Sequence, residues 1–131
     1  MVQREVIIEV LLEASNLLQK KGWNKYSMAL DQYGKKCGPD SSDAACYCLS
    51  GALVKAWRSI DPENENFYFR YFEKKFSDVL RARYNYDRTF TQWNDHVATS
   101  REDVVNLIHL VVTSLLVEQP LFAPEVERLS A

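Results

Sequence analysis

Glycine is scarce in this chain, with only four among 131 residues. A phosphate cradle built from successive backbone amides is therefore excluded, and no Gly-rich phosphate loop occurs. The G-x-S-x-G of a serine hydrolase and the H-E-x-x-H of a zinc protease are also absent. Histidine is scarcer still: His96 and His109 are the only two. No uncharged apolar run approaches the roughly 20 residues that a membrane-spanning helix needs. Arg4, Glu5 and Glu9 interrupt the first apolar stretch, which excludes a signal-peptide core. The cysteines number three, an odd count. Without a leader sequence this implies free thiols and a cytoplasmic, reducing setting. The formal net charge is only -2, so whole-molecule attraction to nucleic acid is not expected.

What is present points to a soluble globular domain. The hydrophobic share is 47% and the charged share 26%, both ordinary for a folded chain. The length fits one helical domain over residues 1–131, large enough to fold without staples. Charge is uneven along the chain. Lys20, Lys21, Lys25, Lys35 and Lys36 gather around the single acid Asp31, whereas acids dominate after Asp95.

Residues 44–60 are the segment around which the other elements are expected to assemble. Read as a helix, they align Ala45, Cys48, Leu49, Ala52, Leu53, Ala56 and Ile60 on one face, with Gly51 beside it. So little side-chain bulk suits the middle of a bundle. Residues 2–21 show a second apolar stripe, through Val6, Val10, Leu11, Ala14, Leu17 and Leu18, with Gly22 as its C-cap candidate. Residues 27–35 fit either a small hairpin, with Gly34 at positive φ, or an irregular loop. Ser41 or Ser42 is the expected cap of the next helix. Asp61-Pro62 closes that helix and opens a third, to about Tyr84. The face of this third helix, Phe69, Phe72, Phe76, Val79 and Leu80, supplies the bulk the second lacks. Residues 85–98 form a polar and aromatic connector. Thr99 and Glu102 then make a capping box for a last long helix. The expected fold class is all-α: a compact bundle of four main helices, with a short fifth one over residues 124–129.

Cys46-Tyr47-Cys48, with Cys37 upstream, is the obvious place for chemistry. On a helix, residues two apart point to nearly opposite sides, so Cys46 and Cys48 would not share a metal ion. No metal and no cofactor is expected. In a first helical turn, Cys46 would have a lowered pKa. A nucleophile also needs a base and an orienting group, for which His96 and Asp95 or Asn94 are the candidates. Trp93, Asn94, Asp95 and Asp31 are the candidates for binding a small ligand. The third helix carries Arg70, Lys74, Lys75, Arg81 and Arg83, but interleaves them with Glu73 and Asp78. That is the pattern of a solvated face and not of a stripe that tracks phosphates.

Gly22-Trp23, the C-x-C-x-x-G-A-L of residues 46–53, Trp93-Asn94-Asp95 and Thr99 together resemble the pattern of a family of small uncharacterised proteins of bacteria and their phages. The resemblance covers roughly residues 22–116. It implies a compact helical domain in which Trp93, Asn94 and Asp95 sit against the C-x-C helix, and it supplies no activity. The expected function is a small cytoplasmic, non-enzymatic protein-interaction domain. The resemblance adds a phage- or bacterium-encoded accessory factor that modulates a host system, including a defence system. Seven tyrosines and three tryptophans are the side chains that interfaces favour. The partner is another protein, with a homodimer through the third helix as one form. The alternative function is a small-ligand or enzymatic site around Cys46 and residues 93–96.

Overall fold

A computed structural model of the chain describes residues 2–118. The fifth helix expected over residues 124–129 lies outside the described residues. Helix α1, Arg4–Lys20, buries Ile7, Val10, Leu11, Ala14 and Leu18. Its C-terminus turns at Gly22, whose φ of +134° suits a residue without Cβ.

The chain then enters a three-stranded antiparallel sheet of order β2-β1-β3. Its strands are β1 (Ala29–Asp31), β2 (Lys36–Cys37) and β3 (Ala44–Tyr47). Ala29 pairs with Cys37 on one side and Tyr47 on the other, and Leu30 with Lys36 and Cys46. The β1–β2 hairpin turns on Asp31, whose carboxylate accepts from the amides of Tyr33 and Lys35. Gly34, at φ +79°, completes the turn. Beyond β3, residues 22–24 run alongside in parallel: the Tyr47 amide donates to Gly22 and the Asn24 amide to Tyr47.

Helix α2 spans Leu49–Ile60, and a single 3-10 turn at Pro62–Asn64 leads into α3, Glu65–Tyr84. Helix α4 is short, Phe90–His96, and opens with a capping box of Thr89 and Gln92. Helix α5 runs Arg101–Val117. One continuous core joins the inner faces of these helices to Ala29, Ala44 and Tyr47 of the sheet.

The all-α expectation is overturned. Among the described residues five helices accompany a three-stranded antiparallel sheet, so the fold is mixed α/β. The difference arises in residues 44–60. Ala44–Tyr47 is extended chain, and the helix starts only at Leu49. Its cap is Cys48, whose sulfur accepts the Gly51 amide at 3.3 Å, and neither Ser41 nor Ser42 takes that role. Cysteine and tyrosine are weak helix formers. Backbone pairing with β1 on one side and residues 22–24 on the other decides the segment's conformation.

Smaller differences have local causes. Residues 85–98 contain α4. The cap of α5 is Ser100, with Asp103 reaching back to the Thr99 amide, so the capping pair sits one residue later than Thr99 and Glu102. On α3, Phe69 points to solvent and Tyr68 into the core, because the buried face turns to meet Trp57, which stacks on Tyr68 and Phe72.

Candidate functional site

Asn94 is fully buried, and four groups meet on its amide. Its Oδ1 accepts from Trp23 Nε1 at 2.7 Å and from the Leu49 amide, the first of α2, at 3.1 Å. Its Nδ2 donates to the Asn24 carbonyl at 3.3 Å and to Asp95 Oδ1 at 2.9 Å. Two donors on one side and two acceptors on the other fix the orientation of the amide. Asn94 therefore ties α4, the start of α2 and residues 23–24 together, and the resemblance motifs converge on one side chain.

Asp95 carries this frame to the surface. Its Oδ1 also accepts the Tyr26 amide at 2.9 Å. Tyr26 has φ +70°, in the left-handed region that bulky side chains seldom adopt. Its ring is 64% exposed and lies tilted against His96, centroids 5.9 Å apart. Beside it, Lys25 Nζ sits 5.6 Å from the centroid of the Trp23 ring. A strained backbone thus holds an aromatic ring out to solvent. Deeper in, Trp93 Nε1 and Asn24 Oδ1 are buried without a partner among the described residues.

The cysteine side chains take no part in the hydrogen bonds around Asn94. Cys46 lies on β3, not in a helical turn, so no helix dipole acts on it as expected. Burial raises its pKa, a backbone contact with Leu30 offsets part of the rise, and nearby Cys37 adds to it. This is opposite to the shift of an activated nucleophile. Cys48 holds the helix N-terminus, yet burial raises its pKa as well. Among the described residues neither histidine hydrogen-bonds to a cysteine. His96 contacts Tyr26, and His109 lies 3.3 Å from Ser15 Oγ. The helical reason for separating Cys46 from Cys48 does not apply to a strand. Among the described residues no three His, Cys, Asp or Glu side chains are grouped to hold a metal. Asp31, serving the hairpin turn, lines a polar cleft with Lys20 and Lys21 and is remote in role from Asn94.

Among the grooves that border the helices are two that differ in charge, one with a rim of mixed sign and one rimmed by acids. One, of about 740 Å³, lies along α3 and the end of α5, where Phe67 and Tyr71 stack with centroids 5.2 Å apart. Two of its rim lysines are paired in place, Lys74 with Asp78 and Lys75 with Glu118, whereas Arg70 on the same rim is in no ion pair among the described residues. The other lies on the outer face of α1. Sequence reasoning missed Tyr26, because nothing in Lys25-Tyr26-Ser27 signals a positive φ. It could have paired Trp23 with Asn94, an indole donor and an amide acceptor held in two adjoining motifs.

These features define a small helix-and-hairpin domain whose motif residues act as joints and hold the Tyr26 ring out to solvent. The chain belongs to DUF6197, a family of unknown function whose profile matches residues 3–112. No curated protein and no solved structure matches it. Among the described residues no helix is long and apolar enough to cross a membrane.

Proposed function

We propose that this chain is a non-enzymatic protein-interaction domain and that Tyr26, tilted against His96 and tied by its amide to Asp95, is its anchor. The observation that carries this reading is the strained, exposed Tyr26. Holding a bulky residue at φ +70° costs on the order of 1–3 kcal/mol, and the ring contributes nothing to the core. Exposed tyrosines of this kind dominate the energetics of interfaces. Asp95 and Asn94 then act as positioning residues, spent on the frame and not on a substrate. The raised pKa of Cys46 favours this reading over an enzymatic one. A cytoplasmic setting rests on the three free cysteines. A bacterial or phage accessory role acting on a host defence system rests on the motif resemblance alone.

The test is affinity capture from bacterial cells with the intact chain and with Tyr26→Asn as baits. Tyr26→Asn should lose a protein that the intact chain retains at near-equal amounts, while both baits stay folded by circular dichroism. Identical capture by the two baits would remove Tyr26 from the interface.

A further inference from the structure

A second surface, on the outer face of α1, has the makings of a docking groove. Positions 5, 8, 9, 12 and 13 fall on one side of a helix. There Ile8 and Leu12, with Ile60 from the end of α2, floor a depression of about 600 Å³. Leu12 is 48% exposed, high for a leucine in the middle of a long helix. Glu5, Glu9 and Glu13 line the same depression, spaced one turn apart. Among the described residues none of these three carboxylates forms an ion pair.

The rim of the α3 groove differs in being of mixed sign, with Lys74 and Lys75 paired to Asp78 and Glu118. Like charges four residues apart on a helix repel, so the stripe destabilises α1 by itself. Only Glu5 lies in the first turn, where the helix dipole compensates it. An apolar floor with a rim of one sign selects an occupant that is apolar and of the opposite sign on the same face. The three carboxylates span roughly 12 Å along the helix, the reach of two to three turns.

We infer that this groove docks a basic amphipathic helix of a partner protein, its leucine-like side chains on Ile8, Leu12 and Ile60 and its lysines or arginines against Glu5, Glu9 and Glu13. The surface is separate from Tyr26, so either can fail alone.

The probe is a fluorescein-labelled helical peptide of leucine and lysine, about 14 residues long, titrated with the full chain at low ionic strength and read by anisotropy. Saturable binding is expected. Glu5→Gln/Glu9→Gln/Glu13→Gln should weaken it about tenfold or more, and Leu12→Asn by a similar factor. The control Glu63→Gln/Glu73→Gln/Asp87→Asn, which removes three exposed acids elsewhere, should change it less than about twofold. A peptide with every leucine replaced by alanine should bind at least about tenfold more weakly. Tyr26→Asn should bind like the intact chain. No binding, equal weakening by the control, or undiminished binding of the alanine peptide would each overturn the inference. So would sedimentation showing that a second copy of the chain fills the groove and that Leu12→Asn disperses it.

Discussion

Asn94 spends its whole hydrogen-bonding capacity on four partners drawn from three separate segments. Asn94→Ala would leave the Trp23 indole, the Leu49 amide and the Asn24 carbonyl without their partner in a buried place. One stranded buried group costs about 1–3 kcal/mol, so a loss of about 3 kcal/mol or more is expected in urea unfolding. A loss below about 1 kcal/mol would show that water replaces the amide freely and that the junction is not a joint. At this scale the sequence was legible as motif and not as role. Asn94 and Asp95 stood out by their neighbours Trp93 and His96, and a turn- or helix-capping residue of this kind looks the same on paper as a ligand-binding one. The distinction lies in distances of 2.7–3.3 Å between segments some 70 residues apart, which spacing along the chain does not encode. Cys46 misled for a related reason: its supposed advantage depended on which element it occupied.

Elements were readable where periodicity is strong and long. The stripes of α1 and α5, the Pro62 break and the length of α3 all follow from apolar spacing and turn residues. Short strands leave no comparable record. Four residues such as Ala44–Tyr47 carry barely two periods of alternation, and the alanines beside the cysteines continue the pattern of α2 backwards. Partners distant in sequence settled that contest. Gly51 shows the consequence. The sequence pattern sets it beside a lean face suited to close packing of helices, but the space is taken by the backbone of β1's approach: a Cβ there would lie 1.8 Å from the Met28 carbonyl oxygen. Met28 also accepts the Cys48 amide at 3.2 Å, so helix and strand cannot separate without losing that bond. Gly51→Ala should therefore destabilise the fold by about 3 kcal/mol, against the gain of up to about 1 kcal/mol that alanine normally brings to a helix. A neutral or stabilising Gly51→Ala in thermal unfolding would mean that the start of α2 does not press on the sheet.

For the whole molecule, pH is the simplest probe of packing. Burial raises the pKa of Tyr68 far above its ordinary 10.0, and its hydrogen bond to Asp61 adds to the shift. Tyr47 and Tyr71 shift in the same direction, again mainly through burial. An acid whose folded pKa is raised favours its neutral form in the native state. Its contribution is intact below the unfolded value and is lost as pH rises through the folded one. Stability should thus fall steeply once the pH passes 10.0, with Tyr68 ionising only as the chain unfolds. Tyrosinate absorbance that develops fully while the near-ultraviolet dichroism stays native would contradict the placement of Tyr68 between Trp57 and Phe72.

Across these scales the motifs build a frame, and the frame holds Tyr26 in a conformation its side chain disfavours. The most direct measurement of that claim is the urea stability of Tyr26→Asn beside that of the intact chain. Asparagine tolerates the left-handed region that tyrosine resists. Relief of the strain should raise the unfolding free energy by about 1 kcal/mol, so a substitution that removes the proposed anchor makes the protein more stable. A Tyr26→Asn chain less stable than the intact one would contradict it, because Tyr26 would then be supporting the fold instead of being displayed by it.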